Sequence, residues 1–127
     1  MESIRVLIVD DLPHVRQGLA AVLTLALRNS GARIEVVGEA GNGSEAIQQA
    51  QNLHPEVILM DLEMPVMDGY EATRQVKTHF PGCRVIALTI HDDETARHQA
   101  GQAGADDFIV KGAPMDCLIH AITRAKE

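Results

Sequence analysis

The sequence predicts an α/β fold: one open, doubly wound parallel sheet of five strands with helices on both faces. Three observations lead there. Short aliphatic runs rich in β-branched residues recur five times, stretches with apolar residues at helical spacing separate them, and cap or turn residues mark the junctions. Strict alternation of the two periodicities calls for crossover connections, and right-handed crossovers lay the strands parallel.

The strands are "IRVLIV" (4–9), "IEVVGEA" (34–40), "VILM" (57–60), "RVIALT" (84–89) and "DFIV" (107–110). Val57 to Met60 is four large aliphatic residues in a row, the pattern of a strand covered on both faces. The first helix carries Val15, Leu19, Val22, Leu23 and Ala26, and the second Ala46, Ile47 and Ala50, stripes expected to face the sheet. A third helix is expected from Gly69 to about Thr78, a fourth from Glu94 to Ala103, and a last one carries Leu118, Ile119 and Ile122. Pro13 suits a first helical turn, Asn42 with Glu45 resembles a capping box, and "FPG" at 80–82 stops the third helix. The stretch "TLALRNSGAR" extends the first helix or lengthens the loop after it.

Composition narrows the function classes. A chain of 127 residues suits one domain with a single core. A formal charge of −7 argues against direct contact with nucleic acid, which needs clustered Lys and Arg to displace counterions. Two cysteines, Cys83 and Cys117, and the absence of a basic, apolar leader fit a reduced cytoplasmic protein. Apolar runs fall short of the roughly 20 residues of a spanning helix, so no membrane role is expected. Six scattered histidines do not assemble a zinc set of four ligands.

Sites in open α/β sheets form beyond the carboxyl ends of the strands. There the first strand ends on Asp10 and Asp11, the third on Asp61, the fourth on Thr89 and the fifth on Lys111. Each has an ordinary reading taken alone: Asp11 as a helix cap, Thr89 as a turn hydroxyl, Lys111 as a solvated side chain. Asp10 and Asp61 resist it, because each ends a run that should be buried, where an ionised carboxylate is costly. Three acids, a hydroxyl and an ammonium at one rim describe a pocket for a phosphoryl group. Carboxylates that close repel unless a cation neutralises them, and hard oxygen donors at a water-accessible rim suit Mg²⁺. A carboxylate such as Asp61 is then an adequate nucleophile towards phosphorus, and its product is an aspartyl phosphate.

"IVDD" (8–11), "DLEMPVMDG" (61–69), "ALT" (87–89) and "AGADDFIVKG" (103–112) resemble the bacterial two-component response-regulator receiver domain in order and spacing over essentially the whole chain. "EVVGEAGNGSEA", "LTIHDDE" and "KGAPMDCLIHAITRA" further resemble its NarL/FixJ (LuxR-type) subfamily. The resemblance implies a flavodoxin-like sheet of order 2-1-3-4-5 and one receiver domain over 1–127. It implies that Asp61 accepts a phosphoryl group from a sensor histidine kinase. Asp10, Asp11, Asp61 and the Glu63 backbone carbonyl then hold Mg²⁺, Lys111 and Thr89 bind the phosphoryl oxygens, and Thr89 with Phe108 forms the switch. Glu63 and His91 flank the attacking water and tune the site, whereas Ile90 departs from the small residue common after the threonine in receivers, and its bulk is expected to narrow access and slow phosphate exchange. The family further implies a non-enzymatic phosphoacceptor that assists its own phosphorylation and dephosphorylation, a possible homodimer, and contact with DNA only through a helix-turn-helix output domain outside this chain.

Gly112 stands where many receivers have proline after a cis bond, which at a non-proline residue costs about 3 kcal/mol, so the geometry of 111–112 stays open from sequence. A dinucleotide enzyme fails, because "DDLP" puts two negative charges where a pyrophosphate belongs. A phosphohydrolase with an aspartyl-phosphate intermediate would share Asp61, and a phosphorylation-independent interaction module would share the fold.

Overall fold

The structure is a computed structural model and describes residues 3–26 and 33–124. Its elements alternate without exception: β1 (Ser3–Val9), α1 (Pro13–Ala26), β2 (Arg33–Ala40), α2 (Gly43–Leu53), β3 (Val57–Asp61), α3 (Gly69–His79), β4 (Arg84–Thr89), α4 (Glu94–Ala103), β5 (Asp107–Val110) and α5 (Met115–Thr123). The strands form one parallel sheet in the order β2-β1-β3-β4-β5. The order reverses between β1 and β3, so the crevice expected of such a sheet opens between Asp10 and Asp61.

Alternation along the buried strands divides the core in two. Ile4, Val6, Ile8, Val57, Leu59, Ile86 and Leu88 pack with Leu23 of α1 and Leu118 and Ile122 of α5. Their neighbours Leu7, Val9, Ile58, Met60 and Val85 face the other way, onto Ala46 and Ala50 of α2 and Ala72 and Val76 of α3. This is why β3 reads as an unbroken apolar run: all five of its residues are buried. A smaller cluster of Leu62, Ala87 and Ala100, with Tyr70 and Phe108 against it, seats α4.

Punctuation acts as expected. Pro13 opens α1, the Asn42 side chain accepts the Glu45 N–H at 2.9 Å, and α3 ends at Phe80. Asp68 and Asp93 cap α3 and α4 by accepting the amides of Glu71 and Ala96. In α1 the apolar stripe is wider than the sheet it meets: Leu23 is fully buried, whereas Val22, expected to face the sheet, is exposed along with Leu25. A helix at one side of the face offers the sheet only part of its circumference. Of Ala26 only the backbone is described, and the expected extension over 27–32 lies outside the described residues.

Candidate functional site

The site begins with how β1 ends. The Asp10 amide donates to the Ala40 carbonyl at 3.0 Å, continuing the β1–β2 ladder one residue past the strand. Its carboxylate turns inward, with Oδ1 accepting the Leu12 amide at 3.0 Å and Oδ2 accepting Lys111 Nζ at 2.9 Å. Arg16, one turn into α1, locks this end from behind. Its guanidinium donates to the Asp10 carbonyl at 2.6 Å and to Glu39 Oε1 at 3.0 Å. Asp11 stands exposed at the lip.

Asp61 ends β3 in register with Leu88 of β4, and like Asp10 it is only 4% exposed. The loop after it is compressed. The Glu63 amide lies 3.3 Å from Asp61 Oδ1, and the Met67 amide closes a three-residue turn on the Pro65 carbonyl at 2.8 Å, with Val66 at a φ of 69°. Gly69 then returns against the end of β3, donating to the Leu62 carbonyl at 3.1 Å. A Cβ at 69 would lie 2.1 Å from the Asp61 carbonyl oxygen, so only glycine lets α3 start this close to the site.

Lys111 closes the far wall. Its amide donates to the Thr89 carbonyl at 2.7 Å, and its Nζ reaches Asp61 Oδ1 at 3.3 Å as well as Asp10. The 111–112 bond is trans, and Gly112 takes a φ of 94° immediately after it. The chain therefore turns away from Lys111 through a left-handed glycine.

Asp10, Asp11 and Asp61 bring carboxylate oxygens within 4.8 Å of one another. Burial raises the Asp61 pKa above its ordinary 3.8; the Lys111 charge opposes this and the Asp10 charge adds to it. For Lys111, burial alone would lower the pKa, but the hydrogen bond to Asp10 and the two carboxylate charges outweigh it, so the ammonium holds its proton more tightly than a free lysine. One lysine thus faces three carboxylates. The donor set is all oxygen, one member is open to water, and negative charge is in excess: these residues fit a hard divalent cation.

The sign of the Asp61 shift makes a stability prediction. With its pKa raised on folding, the folded chain binds this proton more tightly than the unfolded one, so stability falls as pH rises through the interval above 3.8 and stays lower beyond it. Asp61→Asn is therefore expected to be more stable than the parent at neutral pH in metal-free buffer, by ~1 kcal/mol or about 4 °C in Tm. The gap should shrink towards about pH 3, where the aspartate is protonated in both states. Thermal unfolding by circular dichroism across that range checks it, and a variant less stable than its parent at neutral pH would show that the carboxylate stabilises the fold.

The remaining residues singled out by sequence lie around this centre. Thr89 is 1% exposed and donates to Glu63 Oε1 at 2.7 Å. His91 Nε2 stands 3.0 Å from Glu63 Oε2, so the two residues expected to tune the site touch each other. His91 lies in the loop before α4. Ile90 is 66% exposed, with its bulk in solvent at the rim. Phe108 is half-buried on the α4 side, with the Arg97 guanidinium 4.6 Å above its ring. Sequence reading missed Arg16 and the partners of Thr89 and Phe108. A charged residue beside Val15 on the sheet-facing stripe was the available signal for Arg16.

Comparison with known proteins agrees with this geometry. The family described as "Response regulator receiver domain" matches residues 6–123. The chain is 43% identical over 122 residues to "Response regulator protein VraR" of Staphylococcus aureus, covering 96% of this chain and 56% of that protein. It is 34% identical over 119 residues to "Transcriptional regulatory protein LnrK" of Bacillus subtilis, covering 94% and 52%. The chain thus spans about half the length of these curated relatives. Among solved structures, a LuxR-family two-component response regulator from Aurantimonas sp. superposes with a TM-score of 0.84 at 29% identity, over 97% of this chain and 84% of that one. Among the described residues, no helix is long and apolar enough to cross a membrane.

Proposed function

The chain belongs to the response regulator receiver domain family of two-component signalling, and from that premise we propose that it stores a signal as a phosphoryl group on Asp61, taken from a phosphohistidine of a sensor histidine kinase. The observation that carries this reading is Lys111 Nζ lying between Asp10 and Asp61, at 2.9 and 3.3 Å, across the crevice where the strand order reverses.

Asp10, Asp11 and Asp61, with the Glu63 backbone carbonyl, are the residues that would hold Mg²⁺. When bound, the ion supplies positive charge that shields the carboxylates from one another and from incoming phosphoryl oxygens. An Asp61 oxygen attacks phosphorus; the new O–P bond forms as the P–N bond breaks, and the bonding pair leaves on the histidine nitrogen. Lys111 keeps its proton and presents it to the equatorial oxygens, where charge is concentrated during transfer. The Thr89 hydroxyl donates to the phosphoryl group once it is present and draws the β4–α4 loop inward, and Phe108 turns in as that loop moves. Ile90 slows phosphate exchange at the rim.

The protein is on this reading a phosphoacceptor, not an enzyme acting on a separate substrate, although its residues assist both gain and loss of the phosphate. It works in the cytoplasm, dimerises in a manner that shifts on phosphorylation, and controls transcription through a LuxR-type helix-turn-helix domain outside this chain. The greater length of the VraR and LnrK relatives, the description of LnrK as a transcriptional regulatory protein and the LuxR family named for the Aurantimonas structure support that output.

Incubation with acetyl phosphate and Mg²⁺, followed by intact-mass measurement, tests the reading. A gain of one phosphate is expected, abolished by chelation of the metal and absent from Asp61→Asn. Sustained turnover of a phosphate ester with no retained phosphate would point to a phosphohydrolase instead.

A further inference from the structure

At the mouth of the site three groups close a ring of hydrogen bonds. The Thr89 hydroxyl donates to Glu63 Oε1 at 2.7 Å, the His91 amide donates to Thr89 Oγ1 at 3.0 Å, and His91 Nε2 meets Glu63 Oε2 at 3.0 Å. A threonine hydroxyl carries one proton. While Glu63 receives it, a phosphoryl oxygen on Asp61 cannot.

We propose that the Glu63 carboxylate is a latch: it holds the Thr89 hydroxyl in the unphosphorylated arrangement, His91 steadies it there, and phosphorylation switches the domain only by taking that proton away from Glu63. The inference rests on Asp61 being the phosphoacceptor, and it gives the two flanking residues a direction of effect. Glu63 is then a positioning residue, acting through Thr89.

Three features of the molecule support it. The Thr89 oxygen stands 2.7 Å from Glu63 Oε1, and a phosphoryl group on Asp61, bearing about −1.5 to −2 charge, would offer its proton a stronger acceptor. Glu63 also has somewhere to go. Its side chain is 48% exposed and His91 57%, and both line a cleft of about 360 Å³ with Tyr70, Asp93 and Gln99. Thr89, by contrast, is buried, so its hydroxyl must choose between acceptors within the site rather than turn to water.

The test is a double-mutant cycle read by affinity for beryllofluoride in excess Mg²⁺, followed by fluorine NMR on this chain. Glu63→Ala is expected to bind about tenfold more tightly than the parent, the size expected for a hydrogen bond to a charged acceptor. Glu63→Gln, which keeps an acceptor oxygen, should fall between them. In a Thr89→Val background, which keeps the shape and loses the hydroxyl, Glu63→Ala should change affinity by less than about twofold. An equal gain in both backgrounds would show charge repulsion without a latch and overturn the proposal, as would unchanged or weaker binding by Glu63→Ala. Failure of the parent to bind beryllofluoride at all would overturn the phosphoacceptor reading beneath it.

Discussion

Lys111→Ala is expected to slow phosphorylation by acetyl phosphate about 100-fold or more, the scale seen when one preorganised donor is removed from a site of developing charge. The size follows from placement. Lys111 Nζ is held at 2.9 Å by Asp10 and 3.3 Å from Asp61, and its backbone is pinned to Thr89 at 2.7 Å, so the ammonium is in position before any phosphodonor arrives. Without it Asp10 and Asp61, both buried, face each other with no lysine between them, and Asp61 is harder to ionise. A bound divalent ion would offset part of that repulsion but would not supply the N–H donors that Lys111 offers the incoming group. The rate of mass gain under saturating Mg²⁺ measures the effect. A variant within about threefold of its parent would mean that Lys111 is a structural counterion and takes no part in transfer.

Gly69→Ala is expected to destabilise the chain by about 3 kcal/mol, at the upper end for overpacking. The added methyl would meet the Asp61 carbonyl oxygen at 2.1 Å and the Leu62 Cα at 2.8 Å, and neither is the flexible end of a side chain. Relief requires α3 to move away from the end of β3, which breaks the Gly69–Leu62 hydrogen bond and disturbs the strand end that carries Asp61. Urea unfolding gives the stability change. The matched control is Gly18→Ala in α1, where the added carbon meets nothing within 4 Å beyond its own chain neighbours and helix backbone; there a gain of about 0.5–1 kcal/mol is expected from helix propensity. Equal effects at both positions would remove the argument for close approach at Gly69.

The fold was readable in the sequence because each strand is a short apolar run bounded by residues with their own local preference. Pro13, Asn42 and the Phe80–Gly82 stretch act within a few residues of themselves, and the structure places them as expected. The acid rim was readable for a related reason: Asp10 and Asp61 end buried runs where a charge is out of place. What was not readable depends on side chains meeting across the sheet. Thr89 and Glu63 are 26 residues apart and their bond exists only because β3 and β4 are adjacent. Arg16 meets Asp10 and Glu39 through three different elements, and neither hydropathy period reports such a contact. Val22 fits the helical stripe and is nonetheless exposed, because periodicity gives the direction of a face but not how much sheet is there to cover it.

The central claim is that one carboxylate, at position 61, carries the phosphate. Borohydride reduction of the freshly phosphorylated chain, followed by peptide mass mapping, addresses it directly, since only an acyl phosphate is reduced to the alcohol. The expected product is homoserine at position 61 and at no other aspartate, formed only when Mg²⁺ accompanied the phosphodonor. Reduction at Asp10 or Asp11, or phosphate recovered on a histidine with position 61 unchanged, would contradict the claim.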